Sequence, residues 1–299
     1  MYPASFEYVA VDSAEEAIDS LAEHGDREVT LLAGGHSLLP MMKSGLASPE
    51  VVVDLGGVDA LSGIERGDDA TRINAMTEYA AVADDEGLWS DNPVVPEAAA
   101  AIGDVQVRNV GTVGGNVAHS DPAADLPAAM LAADATIHAL GPDGEREIPA
   151  ADFFQAMFTT ALADGELLTA IDVPHLGSDD AAAYVKKASP SSGYALVGVA
   201  VVLETDGEEI ADARVAANGA FDHAMALEPV EEELVGGSLD DESLPERAAG
   251  RATDDVESYL VLDDEQASSE YRAHLLEVYA ERALETAIDR VGDGSNADG

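Results

Sequence analysis

The chain has 299 residues, 46% of them apolar, with 60 Asp and Glu against 14 Lys and Arg, for a formal net charge of −46. This acidity excludes a nucleic-acid partner, because little here neutralises a phosphate backbone; its spread through the whole chain fits a halophilic protein whose self-repulsion salt screens. The chain contains no cysteine, which excludes disulfides, a catalytic thiol, thiolate-bound zinc and any cysteine-ligated iron–sulfur cluster held within this chain.

No apolar run is of membrane-spanning length. Residues 1–5 lack the basic and apolar regions of a secretory leader, so a soluble cytoplasmic protein is expected. Residues 6–9 read as a strand. Ser13 and Glu16 form a capping-box pattern before a helix striped by Ala17, Ile18, Leu21 and Ala22 and ended by Gly25. Strands follow at 29–33 and 51–54, making a β-α-β unit with a long Gly-His-Ser loop inside it. Further strands are expected at 64 and 71–75 about the turn Gly67-Asp68-Asp69, and helices at 96–102 and 122–133. A hairpin is expected at 136–140 and 147–149, turned by Pro142-Asp143-Gly144, then a strand at 167–173. Composition shifts at 174–180. Beyond it, 196–203 reads as a buried strand paired with 210–217, and the remainder as helical, with Tyr271, Leu275, Val278 and Tyr279 on one face of a final long helix. Residues 292–299 read as a flexible polar tail.

Two loops carry the chemistry. The first is Ala33-Gly34-Gly35-His36-Ser37; the second runs through "NVGTVGGNVAHSDPAADLP" from Asn109. Glycine permits positive φ and close backbone approach, and successive N–H groups in such turns make anion-binding nests. Ser37 and Thr112 add hydroxyls, so two such loops can clamp one diphosphate from opposite sides. Neither is a Gly-x-Gly-x-x-Gly or Walker loop, which argues against a standard dinucleotide site or P-loop ATPase. Taken singly, each loop also reads as a tight turn, Asp125 as a helix cap, Tyr194 as a core tyrosine and Lys186 as a surface residue. His36 reads as a loop-fixing side chain or a general base. His119 and His138 lack metal-ligand spacing and are expected to be structural. No catalytic acid–base pair stands beside the loops, and no metal site is expected.

Together with "AGGHSLLPMMK", "QVRNVGTVGGNVAHSDPAADLPAAMLAADA", "YVKKASPSSGYALVGVAVVL" and "SSEYRAHLLEVYAERALETA", the loops give the chain a resemblance. It resembles the FAD-binding medium subunits of the molybdenum hydroxylases, of the carbon monoxide dehydrogenase-like and xanthine dehydrogenase-like kind, over nearly its whole length. The resemblance implies an α+β fold: a two-subdomain FAD-binding domain of the PCMH type at 1–176 (subdomains about 1–57 and 58–176). A C-terminal domain at 177–291 with a small antiparallel sheet and helices would follow. It implies that Ala33, Gly34, Gly35, His36, Ser37 and Leu38 wrap the FAD diphosphate, and that Thr112, Val113, Gly114, Gly115 and Asn116 form a second wall. Asp125 would meet the ribityl chain, Leu168 the adenine, and Lys186 and Tyr194 the flavin ring. The FAD would be bound non-covalently. Ser189-Pro190 stands where xanthine dehydrogenase-like members often carry an Arg pair, which weakens the case for an NAD-reducing site.

The same resemblance implies partners: a molybdopterin-binding large subunit and a small subunit with [2Fe–2S] clusters, assembled as a dimer of heterotrimers. The complex would be cytoplasmic, or peripheral at the membrane. Electrons would pass from the clusters to FAD and on to an acceptor such as a quinone. Two rival readings are a self-contained flavin oxidase with His36 covalently attached, and a non-catalytic nucleotide-binding module.

Overall fold

The computed structural model describes residues 2–291; the expected tail at 292–299 lies outside the described residues. Strand β1 (Glu7–Ala10), helix α1 (Ala14–Glu23), strand β2 (Val29–Leu32), helix α2 (Leu38–Ser44) and strand β3 (Val51–Asp54) form the first unit. Its sheet is parallel, with β3 between β1 and β2. The central strand is flanked on both sides, so Val51, Val52 and Val53 are all buried and the run is continuously apolar. The Ser13 hydroxyl accepts from Glu16 N–H at 3.1 Å, while the Glu16 carboxylate reaches back to the Asp12 N–H at 2.9 Å. The expected long loop after β2 contains α2. Pro40 lies in its first turn, where no N–H is needed, and Gly45 closes it in a left-handed conformation at φ 81°.

The middle of the chain runs β4 (Ile64–Arg66), β5 (Ala70–Asn74), α3 (Tyr79–Ala83), α4 (Glu86–Asp91), α5 (Val94–Ala100), α6 (Val105–Arg108), α7 (Val113–His119) and α8 (Leu126–Ala132). Then come β6 (Thr136–Gly141), β7 (Gly144–Pro149), α9 (Ala150–Phe153), β8 (Phe154–Ala156), β9 (Thr159–Thr160) and β10 (Leu167–Pro174). The strands β4-β5-β10-β6-β7 make an antiparallel sheet in that order. The helix expected over 122–133 starts only at Leu126. Before it, Asp121 holds a turn by accepting from the Ala123 N–H at 2.9 Å, and its own carbonyl accepts from Ala124 at 3.0 Å.

The last part holds β11 (Ala181–Ala188), β12 (Ala195–Asp206), β13 (Glu209–Asn218), β14 (Met225–Ala226), α10 (Glu228–Leu234), α11 (Leu244–Ala249) and α12 (Ser269–Arg290). Its four strands form one antiparallel sheet in chain order. One face of that sheet joins the central core: Ala182, Tyr184, Ala200 and Val202 pack with α5 and α8. The other face, with Val199 and Val201, packs on α12. The buried stripe of α12 is Leu275, Leu276, Tyr279, Ala280, Ala283, Leu284 and Ala287, so Tyr271 falls off it and is exposed. The region from 217 onward is also less helical than expected, because 250–267 is irregular.

Candidate functional site

A cavity of about 450 Å³ opens where the parallel sheet, the antiparallel middle sheet and α7 meet. Its floor is the first glycine loop. Gly35 takes φ 72°, a left-handed conformation that glycine adopts without strain. A Cβ on Gly34 would collide with the Val110 carbonyl oxygen and lie 2.8 Å from Gly111 Cα, so only glycine lets the two loops touch. A Cβ on Gly115 would lie 2.8 Å from Thr112 Oγ1 and 3.2 Å from Ala33 Cβ. The glycines therefore set the distance between the walls.

The two loops differ in what they offer a ligand. Among the described residues, nothing accepts from the consecutive backbone N–H groups of residues 33–38. Buried or half-buried amides are rarely left without a partner, so this row is a ready anion nest. The second loop was expected to present amides as well, but most of them are committed internally. Val113 donates to Thr77 O at 3.0 Å, Gly114 to Ala75 O at 2.8 Å and Asn116 to Thr112 O at 3.0 Å. Gly115 donates to the Thr112 hydroxyl oxygen at 3.3 Å. What remains on that side is the Thr112 N–H and hydroxyl hydrogen and the Asn116 side chain, whose buried Oδ1 has no partner.

Ala33, Gly34, Gly35, His36, Ser37, Leu38, Thr112, Gly114, Gly115, Asn116 and Leu168 all line the cavity. Val113 does not; it is fully buried behind the wall and packs in the central core. Asp125, Lys186 and Tyr194 stand apart from the cavity lining. Asp125 and Lys186 instead pair with each other at 2.8 Å, and the Lys186 ammonium also donates to Ala101 O at 2.7 Å. The Tyr184 hydroxyl donates to the second Asp125 oxygen at 2.6 Å and lies 3.1 Å from Asn218 Oδ1. Lys186, Gly198 and Asn218 are in register across three strands. Any side chain on Gly198 would strike the Tyr184 hydroxyl. Burial pushes the Asp125 carboxyl upward, and Lys186 and Tyr184 pull against it. Burial likewise raises Tyr184 well above the ordinary phenol value.

Several lining residues had no sequence signal. Tyr79 closes one wall, and a Cβ on Gly111 would strike its ring. Burial pushes the Tyr79 hydroxyl up to about 12, with Asn116 opposing. His119, expected to be structural, also lines the cavity and packs on Phe158 at 5.0 Å. Burial lowers the His119 imidazole, partly offset by Asp121. Ser120 and Phe158 both take positive φ and are joined by a 3.1 Å bond from Phe158 N–H to Ser120 O. At the far end Glu166 faces the cavity but is neutralised by Arg146 at 2.7 Å, which holds its carboxyl below the usual range. An elongated ligand with an anionic middle and hydroxyl donors fits this set: a free amide row, an orphaned acceptor and glycine-lined walls.

A family profile described as "FAD binding domain in molybdopterin dehydrogenase" matches residues 4–176, and one described as "CO dehydrogenase flavoprotein C-terminal domain" matches 182–287. The chain is 34% identical to the glyceraldehyde dehydrogenase medium chain of Sulfolobus acidocaldarius, over 95% of this chain and 99% of that one. It is 33% identical to the 6-hydroxypseudooxynicotine dehydrogenase complex subunit alpha of Paenarthrobacter nicotinovorans, covering 97% of each. A solved chain of carbon monoxide dehydrogenase from Hydrogenophaga pseudoflava superposes with a TM-score of 0.93 at 34% identity, over 98% of this chain and all of that one.

Proposed function

Because the chain belongs to the family of FAD-binding medium subunits of the molybdenum hydroxylases, we propose that it serves as the flavin outlet of a multisubunit oxidoreductase. In this reading electrons arrive singly from [2Fe–2S] clusters of a small partner chain, a molybdopterin-binding large chain oxidises the substrate, and an external acceptor such as a quinone takes the electrons. FAD supplies the exchange between one- and two-electron chemistry.

The observation that carries the reading is the row of uncommitted amides at 33–38, facing Thr112 and Asn116 across a glycine-lined gap. Those amides would hold the diphosphate. The Thr112 hydroxyl would donate to the same anion, and Asn116 Oδ1 would accept from a ribityl hydroxyl. Leu168 would offer the apolar surface for adenine, and the Asp125–Lys186 pair and the exposed Tyr194 would lie toward the flavin end. Attachment is non-covalent, with His36 beside the cofactor. Residues 1–176 would thus hold FAD and 177–291 would cover its ring end. The absence of cysteine supports a cluster held elsewhere. The assembly proposed is a dimer of heterotrimers. No helix among the described residues is long and apolar enough to cross a membrane, so any membrane association would be peripheral.

The test is isolation of the tagged chain from its host in molar salt, with FAD, iron and molybdenum measured. Co-elution of all three, with substrate-driven bleaching of the flavin, is expected. Recovery of the chain alone, fully active on substrate, would contradict the proposal.

A further inference from the structure

One stretch of the cavity wall is built differently from the glycine loops. Every residue from 162 to 168 lines the cavity, and 161–166 links β9 to β10 without belonging to any strand. Arg146 of β7 ties this segment down. Its guanidinium grips Glu166 with both arms, Nε to Oε1 and Nη2 to Oε2, each at 2.7 Å, and Nη2 also donates to Ala161 O at 2.7 Å. The Glu166 carboxylate accepts from the Ala163 N–H at 2.6 Å, and the Glu166 N–H donates to Ala163 O at 3.1 Å. The segment is thus fixed at residues 161, 163 and 166.

The neighbouring hairpin leaves room for this grip. A Cβ on Gly141, the last residue of β6, would lie 2.8 Å from Glu166 Cγ, so glycine there lets the carboxylate pass on its way to Arg146. Closing the hairpin is not sufficient reason for the pair. Exposed ion pairs add little to stability, and the Arg146 side chain is 43% exposed. The Glu166 side chain, however, is only 11% exposed. The fork is bidentate, which fixes direction as well as distance, and the remaining bonds of both partners go to the backbone of one cavity-lining segment.

We propose that Arg146 and Glu166 are positioning residues for the adenylate half of FAD, holding 161–166 in the shape that this half meets before the cofactor arrives. The inference rests on the function proposed above, which sets adenine against Leu168, two residues beyond Glu166. Leu21, Val29 and Leu31 line the same cavity and add apolar surface for a base. Binding is then divided between two devices. The amides of 33–38 meet the diphosphate, and the clamped segment meets the adenylate. A segment ordered in advance loses less freedom when its ligand binds, and the saving appears as affinity. Without the clamp, FAD itself would have to order 161–166.

The experiment titrates the purified full chain, stripped of flavin and kept in molar salt, with FAD and with FMN, which has the same ring and a phosphate but no adenylate. Arg146→Ala should weaken FAD by about tenfold or more and FMN by less than about twofold. The thermal midpoint of the flavin-free variant should stay within about 3 °C of wild type, as for other exposed pairs. Glu166→Gln keeps the shape but offers the fork a poorer partner, so it should weaken FAD in the same direction; it is read alone if Arg146→Ala does not fold. Unchanged FAD affinity, or equal weakening of FAD and FMN, would overturn the proposal. So would tighter FAD binding by Glu166→Gln, which would trace the Arg146→Ala effect to repulsion between a bare carboxylate and the diphosphate. Where wild type binds FMN too weakly to compare, the visible spectrum of the FAD-saturated variant decides: a wild-type flavin band supports the proposal, and a shifted band overturns it, because the ring lies away from the clamp in this reading. Wild-type chain that binds no FAD would sink the proposed function itself, and this inference with it.

Discussion

Asp125 and Lys186 are far apart in the chain, and nothing in residue order pairs them; the sheet of β11 to β13 does so by setting Lys186, Gly198 and Asn218 abreast. With Tyr184 removed as a donor, one Asp125 oxygen would stay buried without its 2.6 Å bond. Tyr184→Phe should therefore destabilise the fold by about 1–3 kcal/mol, the cost of an unsatisfied buried acceptor, read by denaturant unfolding in molar salt. Little or no change in the midpoint would show that the bond adds nothing. His119 gives a pH test. Burial lowers its folded pKa below 6.5, so the neutral ring is the form that the fold prefers. Its contribution is complete above the unfolded value of about 6.5 and is lost as pH falls through the lowered folded value. Thermal midpoints should fall as pH drops below about 6.5 in wild type, and the fall should shrink in His119→Gln. Glycine and the loop motifs were readable because they are local. Tyr79 and the Asn116 acceptor were not, because their roles come from which distant backbone they meet.

At the scale of elements, the β-α-β unit, the hairpin and the β12–β13 pair were legible from alternation, apolar runs and turn residues. Helix α2 was not: its Leu-Leu-Pro-Met-Met sequence has no polar stripe, and Pro40 reads as a breaker unless its place in the first turn is known. The second loop lines the cavity, but several N–H groups expected to form a nest are committed elsewhere, since bonds such as that of Gly114 to Ala75 O depend on β5 lying beneath it. Beside its apolar packing, α12 is tied to the third sheet by a buried arginine. Arg272 is buried and donates to Leu196 O at 2.8 Å, Gly219 O at 2.6 Å and Asp264 at 2.7 Å. Arg272→Ala should cost about 3–5 kcal/mol by leaving those acceptors unmatched, and Arg272→Lys should not restore the loss, because an ammonium lacks the fork that serves all of them. Full rescue by lysine would contradict this. In the FAD domain, Gly34→Ala should lower FAD retention at least tenfold with secondary structure intact, because the added methyl drives the loops apart. Measured FAD content and far-UV dichroism distinguish that from unfolding.

For the molecule as a whole, a net charge of −46 makes compaction costly unless salt screens it. The screening length falls from about 10 Å at 0.1 M to about 3 Å at 1 M, so the thermal midpoint should rise steeply between those concentrations and keep rising above them. A midpoint indifferent to salt would remove the halophilic reading. Relatives of similar identity are named for glyceraldehyde, a nicotine derivative and carbon monoxide, which supports placing the choice of substrate outside this chain. What this chain is proposed to contribute is a flavin held between two loops. That claim is tested most directly by precipitating the purified, desalted protein with acid and measuring flavin in the supernatant and the pellet. About one FAD per chain, all of it released to the supernatant, is the predicted result; no flavin, or flavin remaining with the pellet, would contradict it.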